Sequence, residues 1–286
     1  MNGILLVNKE EGYTSRDVVN ILTKIFNTKK IGHTGTLDPI AKGVLVCTIG
    51  KATKLCDLLT SKYKEYIATI KIGIKTDTLD TTGKILEERN CKTTEQEIIK
   101  VLSSFKGKSK QEVPLYSAIK VNGKKLYEYA RNNIEIKPPT KEIDIKEISL
   151  MSYNNNSIVF RCTVSKGTYI RSLIRDICNK LDIIGTMSEL IRTKQGNFSI
   201  ENSYTLEEIK NNKYKLLSYD EALIDIEEYN INKELYLKVC NGSIIDKEFK
   251  NDIALIKYNN EVIAIYKVYE KDKNKAKPYI MLVWYN

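Results

Sequence analysis

The stretch IGHTGTLDPIAKG, residues 31–43, holds the single histidine of the chain, His33, and five residues later Asp38, which lies between a leucine and a proline. Because proline disfavours helical dihedral angles in the residue before it, Pro39 keeps Asp38 extended within a constrained loop. The carboxylate can then face a cleft, although an Asp-Pro turn with no chemical role is the alternative. The stretch therefore predicts a fixed loop that presents one carboxylate.

Few other residue types are available for chemistry. A general acid–base pair or a Ser-His-Asp arrangement would have to use His33, and the sequence contains neither G-x-x-x-x-G-K-[ST] nor G-x-G-x-x-G. This favours a reaction that is centred on a carboxylate and needs no cofactor. A carboxylate nucleophile needs a nearby cation to stay ionised in a dry pocket. Arg171, near the start of a helix predicted within SKGTYIRSLIRDI (165–177), is the candidate, and a helix-surface arginine is the alternative.

The composition predicts a cytoplasmic globular protein. The 286 residues are 42% hydrophobic and 29% charged. No apolar run approaches the ~20 residues that span a bilayer. The N-terminus, MNGILLVNKEEG, lacks the basic start and the long apolar run of a secretion signal. Six cysteines without C-x-x-C spacing and one histidine offer no zinc-ligand pattern, so free thiols and no metal are expected.

The formal net charge of +10 is concentrated in one part of the chain. Residues 106–146 contain ten Lys or Arg against five Asp or Glu. Tyr116, Tyr127 and Tyr129 lie among these cations. That pattern suits RNA, because bases stack on rings while phosphates pair with cations. A solvated lysine-rich face without a partner is the alternative.

Hydrophobic periodicity predicts strands and helices without a regular βαβ rhythm. The predicted strands cover 3–7, 43–50, 64–73, 141–153 and 157–167, and the predicted helices cover 15–27, with Ser15 as its cap, 51–61, 93–105 and 168–182. This order favours an α+β fold, with a mixed, largely antiparallel central sheet flanked by helices, over a doubly wound sheet. Residues 1–228 are assigned to this first domain.

Residues 229–286 differ from the rest, because short strand-like pieces alternate with polar turns and no strong helix is predicted. The pieces are LKVCNGSII (237–245), DIALIKY (252–258), EVIAIYKVYE (261–270) and YIMLVWY (279–285). The lysine-rich EKDKNKAK (270–277) is interpreted as a surface loop. The pattern predicts a small β-barrel appended to the first domain.

Taken together, these segments resemble the TruB family, the tRNA pseudouridine-55 synthases. HTGTLDPIAKGVL (33–45) matches the family pattern H-x-G-x-L-D-P-x-A-x-G-x-L at every fixed position. Further segments resemble the family in the same order: 5–15, 64–83, 113–131, 165–177 and 190–199. The chain departs from the family at Asn8 and Glu10, where an acidic residue and a proline are usual, and at Ile191, where the first of two arginines is usual.

The resemblance implies a role for each matched residue. Asp38 would be the catalytic aspartate and Arg171 its partner. Tyr66 would stack on a uracil flipped out of the RNA and take part in its proton transfer, while His33 would support the RNA loop that the base has left. The remaining residues would help to line the pocket: Lys9, Tyr169 and Leu190.

The resemblance also implies a substrate. The partner would be tRNA, held at its TΨC stem-loop by a thumb region at about 106–146 and by a PUA-like domain at 229–286. Uridine 55 would become pseudouridine without a metal or other cofactor. A monomer is expected, because no exposed apolar helix is evident. A stand-alone enzyme with no obligate protein partner is also expected, since the chain begins and ends close to its predicted domains. Two alternatives stay open: a guide-RNA-dependent pseudouridine synthase and a non-catalytic tRNA-binding or folding protein. Asp77 and Asp80 also match the family, but a turn-forming role is favoured.

Overall fold

The structure is a computed structural model that describes residues 1–60, 62–132 and 134–283. Its strands are β1 (Gly3–Lys9), β2 (Ile31–His33), β3 (Ala41–Ile49), β4 (Tyr63–Ile72), β5 (Ile74–Thr76), β6 (Ile85–Glu88), β7 (Gly107–Glu112), β8 (Lys120–Val121), β9 (Lys124–Lys125), β10 (Thr140–Asn154), β11 (Ser157–Ser165), β12 (Gly185–Gln195), β13 (Phe198–Ser199), β14 (Glu227–Asn230), β15 (Ile245–Asp246), β16 (Ile253–Tyr258), β17 (Glu261–Tyr269) and β18 (Asp272–Met281). Its helices are α1 (Ser15–Ile25), α2 (Cys56–Leu59), α3 (Glu95–Ser103), α4 (Leu126–Arg131), α5 (Ile170–Lys180), α6 (Leu206–Lys210), α7 (Tyr219–Ala222) and α8 (Lys233–Cys240), with 3-10 segments at Gly50–Leu55 and Ile200–Asn202.

A central sheet organises the chain, with the strand order β1-β3-β12-β4-β11-β10-β7. In addition, β2 pairs with β3 and β13 pairs with β12. The neighbours are antiparallel except for β3 and β12, which run parallel. The predicted α+β class with a mixed, largely antiparallel sheet is therefore confirmed.

The parallel pair depends on Gly43. This residue has a φ of +106°, and a Cβ on it would overlap the main chain of Arg192 on β12. Only glycine accepts both that dihedral angle and so close an approach. The pairing sets Leu190 opposite Ala41, so β12 lies beside the loop that precedes β3.

The central sheet is covered on both faces. Successive residues of a strand point to opposite sides. Leu5 and Val7 of β1 pack with α1, whereas Ile4 and Leu6 pack with Leu255 and its neighbours in the C-terminal sheet. Residues of α3 and α5 share a third core with β4, β10 and β11. The central and C-terminal sheets are thus joined by a common hydrophobic core.

The cap of α1 is Thr14, so the prediction of Ser15 is wrong. The Thr14 hydroxyl accepts a hydrogen bond from Asp17 N at 3.0 Å, and the Asp17 carboxylate accepts one from Thr14 N at 2.8 Å. An acidic residue at the third helical position makes this reciprocal cap possible. Ser15 is buried, and its hydroxyl accepts from Leu37 N at 2.8 Å and donates to Leu37 O at 3.2 Å. It therefore fixes the loop that carries Asp38.

The segment 51–61, predicted as one helix, is a 3-10 helix at Gly50–Leu55 that leads into the short α2. A 3-10 helix has three residues per turn, so residues three apart lie on one face. Ala52 and Leu55 are both fully buried on that face. Ser61 lies outside the described residues.

The first four residues of the region predicted as a strand at 237–245 lie in α8, and only Ile245 lies in a strand, β15, so the prediction of no strong helix there is wrong. The side chain of Asn232 caps the helix by accepting a hydrogen bond from Leu235 N at 2.9 Å. Val239 and Cys240 are buried at its end. A helix this short has too few turns for its apolar spacing to be distinguished from a strand in the sequence.

The C-terminal sheet has the strand order β14-β16-β17-β18-β15 and curls into a half-barrel. The prediction of a loop for the lysine-rich residues 270–277 is wrong, because β18 begins at Asp272 and pairs with β17. Only one face of this part of β18 is buried, at Ala276, which leaves the lysines on the solvent side. Residues 284–286, at the end of the predicted strand 279–285, lie outside the described residues. None of the described helices is long and apolar enough to cross a membrane.

Candidate active site

One cleft, with a volume of about 500 Å³, brings together segments that are far apart in the chain. Its walls are the 34–38 loop, the start of β4, the thumb region, the β11–α5 junction and β12. Five of the predicted site residues line it: Asp38, Tyr66, Tyr169, Arg171 and Leu190. The other two, Lys9 and His33, do not line the cleft.

Asp38 and Arg171 form an ion pair in this cleft. Asp38 Oδ2 lies 3.0 Å from Arg171 Nε, and the side chains are 38% and 9% exposed, respectively. Arg171 also donates to Thr78 O at 3.0 Å and to Tyr116 O at 3.1 Å. Main-chain oxygens therefore fix the guanidinium from two sides, while the more exposed carboxylate can reach a bound molecule.

A second carboxylate, Asp80, lies behind the ion pair. Its Oδ2 is 3.7 Å from Arg171 Nη1, and its side chain is 8% exposed. Its Oδ1 accepts hydrogen bonds from Thr78 Oγ1 at 2.8 Å and from Thr82 N at 3.0 Å. The structure thus combines the turn predicted for Asp80 with a contact to Arg171 that the sequence did not indicate, because the two segments are distant in the chain.

Lys9 contacts the main chain behind the loop that carries Asp38, whereas the resemblance implied that it lines the pocket. It is fully buried, and its ammonium donates to Tyr13 O at 2.6 Å and to Glu10 O at 2.9 Å. A longer bond of 3.3 Å reaches Pro39 O, next to Asp38. Burial lowers the pKa of Lys9 to about 8.

Arg192, for which sequence reasoning assigned no role, is a second support of the same loop. It is fully buried and forms no ion pair with any described residue. It donates to Gly35 O at 3.0 Å, to Thr36 O at 3.4 Å and to Val44 O at 2.8 Å. The strand itself, GTMSELIRTKQ, carries other charged residues and does not single out Arg192. The one signal in the sequence was the resemblance, because Arg192 keeps the second of the two arginines usual in the family.

Tyr66 and Leu190 come from adjacent strands, β4 and β12, whose pairing sets Tyr66 opposite Arg192. Both side chains are buried at the base of the cleft. Burial raises the pKa of the Tyr66 hydroxyl, so the phenol is protonated at neutral pH and can donate a hydrogen bond. The two side chains form an apolar wall with one polar group.

Tyr169 lies at the N-cap of α5, where Gln111 of β7 holds its main chain. Gln111 Oε1 accepts from Tyr169 N at 2.8 Å, and Gln111 Nε2 donates to Tyr169 O at 3.1 Å. Gln111 is buried and was not predicted. The first strand of the thumb region therefore fixes the start of the helix that carries Arg171.

His33 ends β2 and is half-buried. Its Nδ1 accepts a hydrogen bond from Gly35 N at 3.3 Å. Burial, and next the charge of Arg192, lower the pKa of His33, so the ring is uncharged at neutral pH and its proton lies on Nε2. The His33 ring does not line the cleft that contains the ion pair of Asp38 and Arg171.

The thumb region reaches the cleft through Tyr116 and Tyr127. Tyr116 Oη donates to Asp77 Oδ2 at 3.2 Å, which anchors the region to the turn before β6. The Tyr127 ring lies 5.4 Å from Lys125 Nζ and 5.3 Å from Arg131 Cζ. Aromatic rings and cations of the thumb region therefore meet beside the cleft. One residue of this region, Asn133, lies outside the described residues.

Two family models match the chain in succession. The N-terminal domain model of the TruB family pseudouridylate synthases matches residues 23–170, and the model of the tRNA pseudouridylate synthase B C-terminal domain matches residues 171–229. The tRNA pseudouridine synthase B of Caldanaerobacter subterraneus subsp. tengcongensis is 43% identical over 272 residues, which cover 93% of this chain and 94% of that protein. The tRNA pseudouridine synthase B of Clostridium tetani is 43% identical over 276 residues, which cover 96% and 93%.

Solved structures show the same fold. The crystal structure of a Cbf5-Nop10-Gar1 complex is similar over 99% of this chain and 85% of that chain, with a TM-score of 0.75 and 25% identity. The archaeal box H/ACA sRNP Nop10-Cbf5 complex has a TM-score of 0.71 at 21% identity, over 99% and 86%. With a family model over more than half of its length and relatives that are 43% identical over nearly all of it, the chain belongs to the TruB family of pseudouridylate synthases.

Proposed function

We propose that this protein isomerises uridine to pseudouridine at position 55, in the TΨC loop of tRNA, with Asp38 as the catalytic residue. The observation that carries the proposal is the ion pair of Asp38 Oδ2 and Arg171 Nε, 3.0 Å apart in the cleft. The family of the chain and the names of its relatives support tRNA as the substrate.

The isomerisation suits a site built around one carboxylate. The N1–C1′ bond breaks and a C5–C1′ bond forms, while C5 loses a proton and N1 gains one. Because atoms and electrons balance within the nucleotide, the reaction consumes no oxidant, reductant or nucleotide triphosphate. The Asp38 carboxylate can attack either C1′ of the ribose or C6 of the uracil, and both routes require the carboxylate to be ionised.

Arg171 supports that ionised state. A charge-assisted hydrogen bond from a guanidinium favours the carboxylate over the neutral acid and holds it in one orientation. Thr78 O and Tyr116 O fix the guanidinium in turn. In this proposal Arg171 orients Asp38 and does not itself exchange protons.

A base must leave its stack before Asp38 can reach it. Unstacking costs about a few kcal/mol, and each stack of a base on an aromatic ring returns about 1–3 kcal/mol. We assign that stacking role to Tyr66, with Leu190 and Tyr169 completing the pocket. The uncharged His33, outside the cleft, suits a role in supporting the opened RNA loop.

The tRNA would bind beyond the cleft through the thumb region and through residues 229–286, acting as a PUA-like domain. The excess of cations in 106–146 and the half-barrel of the C-terminal sheet support these assignments. We further propose a cytoplasmic monomer that acts without a cofactor, a guide RNA or an obligate protein partner. Activity on bare tRNA separates this proposal from a guide-RNA-dependent enzyme.

The test uses an unmodified tRNA transcript, with no guide RNA or second protein, and maps pseudouridine at position 55. We expect the wild type to modify it and Asp38→Asn to be slower by at least about 10⁴-fold, as for the loss of a catalytic nucleophile. The 38% exposure of Asp38 predicts that the variant folds, which thermal unfolding checks. Activity that survives in Asp38→Asn would overturn the assignment.

A tRNA-folding role is a second candidate, favoured by the cations of the thumb region and compatible with catalysis. Asp38→Asn protein separates the two, because it keeps the binding surface. Rescue of misfolded tRNA by this variant would establish the second role, and no rescue would remove it.

A further inference from the structure

Lys64 places an ammonium in the wall of the cleft at a defined point. It lies on β4 two residues before Tyr66, so both side chains share one face of the strand, and both line the cleft. Lys64 Nζ lies directly over Gly35, where a Cβ would be only 2.7 Å from it. The ammonium therefore rests on the loop that carries Asp38.

This ammonium has no anionic partner among the residues that the structure describes. Lys64 is half-buried, and it makes no hydrogen bond or ion pair with any residue in 1–60, 62–132 or 134–283. Its charged neighbours are Arg192 and Lys166, both cations. Burial, together with these like charges, lowers the pKa of Lys64 to about 8.

The carboxylate of the cleft does not offset this charge. Among the described residues that line the cleft, Asp38 is the single acid, and its Oδ2 is 3.0 Å from Arg171. The cleft is thus neutralised on the side of Arg171 and positive on the side of Lys64. A half-buried cation without a counter-charge is costly unless a ligand supplies one.

We propose that Lys64 binds a backbone phosphate next to the target uridine and thereby positions the flipped nucleotide. This inference rests on the proposed function, since the substrate must be a nucleic acid. A flipped base draws its own backbone to the mouth of the pocket. Lys64, one residue from the start of β4, lines the cleft and is half-buried, whereas Tyr66 is nearly fully buried further along the strand.

The experiment measures the affinity of a synthetic TΨC stem-loop RNA. The phosphates on either side of the target uridine are replaced one at a time by uncharged methylphosphonates. A control RNA has normal phosphates and carries any change of the sugars that the methylphosphonate RNAs contain. The proteins are the wild type, Lys64→Met and Lys62→Met. Lys62 is a matched control, because it is exposed, lies on the same segment and does not line the cleft.

We expect one methylphosphonate to weaken wild-type binding by about 10- to 100-fold, the usual effect of a charge-assisted hydrogen bond. Lys64→Met should weaken binding of the control RNA by a similar factor. The variant should then bind the RNA with that methylphosphonate less than about twofold more weakly than it binds the control RNA. The slope of log affinity against log salt should fall by ~0.7 for Lys64→Met. Lys62→Met should keep the wild-type sensitivity to the methylphosphonate.

Two outcomes would overturn the inference. Lys64→Met could bind the control RNA as tightly as the wild type, or it could stay as sensitive to each methylphosphonate as the wild type. A slower reaction at saturating RNA with unchanged affinity would assign the ammonium to the reacting base instead. If the wild type forms no pseudouridine in the unmodified stem-loop, the proposed function fails, whatever the phosphate measurements show.

Discussion

Arg171 and Arg192 are both buried arginines beside one loop, yet they bind different groups. Arg171 lies 3.0 Å from Asp38 and 3.7 Å from Asp80, so carboxylates offset its charge. Arg192 donates to three carbonyl oxygens and forms no ion pair with any described residue. The first arginine holds the Asp38 side chain, which we propose to be catalytic, and the second holds the main chain of the same loop.

The different partners of the two arginines explain the uneven charge around the loop. Main-chain carbonyls stabilise a guanidinium without neutralising it, so the side of Arg192 stays positive. Lys9 and Lys64 lie on that side, and burial lowers the pKa of each to about 8. The side of Arg171, where carboxylates pair with the cation, is suited to a nucleophile. The side of Arg192 and Lys64, where the cations have no carboxylate partner among the described residues, is suited to an anionic ligand.

Removing the paired arginine should have the largest effect. In Arg171→Met, both carboxylates lose their cation, and we expect the single-turnover rate of pseudouridine formation to fall by about 10³-fold. Arg171→Lys keeps the charge but loses the planar fork that holds Asp38, so it should recover only part of the rate. A rate for Arg171→Met within tenfold of the wild type would show that the pair is not needed.

Removing the unpaired arginine should act mainly on stability. Arg192→Met removes the donor from three main-chain carbonyls, of which Val44 O is in a buried hydrogen bond and the other two are in part-buried ones. We expect the free energy of unfolding to fall by about 2–3 kcal/mol. Urea unfolding measures this change. Arg161→Met is the matched control, because Arg161 is exposed on β11 and should change stability little. Equal stability of Arg192→Met and the wild type would contradict the supporting role.

The unpaired side also predicts a dependence of stability on pH. The pKa of Lys64 falls from 10.5 to about 8 in the folded chain. Between these two values the unfolded chain keeps a proton that the folded chain has released, so the contribution of Lys64 to stability rises with pH. Lys64→Met should therefore be more stable than the wild type at pH 7, by roughly 1–2 kcal/mol.

That advantage should shrink as the pH rises from 8 towards 10.5. Urea unfolding at several pH values tests it, with Lys62→Met as the control whose difference from the wild type stays constant. If the free energy of unfolding of Lys64→Met differed from that of the wild type by the same amount at every pH, burial would not lower the pKa of Lys64.

The smallest effect is expected from Asp80→Asn. The amide keeps an oxygen for Thr78 and Thr82, so the turn is preserved and only a charge 3.7 Å from Arg171 is lost. We expect the rate to change by less than about tenfold, because Asp38 still pairs with the guanidinium. A loss as large as that of Asp38→Asn would make Asp80 part of the reaction.

Local patterns predicted the elements whose causes are local. The alternation of β10 and β11 and the apolar face of α5 were confirmed, because each repeats over several turns or residues. The short α8 and the lysine-rich start of β18 were predicted wrongly. In both, packing of a few residues such as Val239 and Ala276 outweighs the local preference.

The sequence by itself determined that a constrained loop presents Asp38, because Pro39 acts on its immediate neighbour. It also indicated Arg171 as a candidate partner, and the structure places the two 3.0 Å apart. Only the tertiary structure decided that Lys9 lies behind the loop and that Asp80, Arg192 and Lys64 lie around it. These contacts depend on the register of β4 and β12 and on the parallel pair at Gly43, where segments distant in the chain meet. Such pairings leave no local signal in the sequence, because the register of two strands depends on which of their faces is buried in the folded sheet.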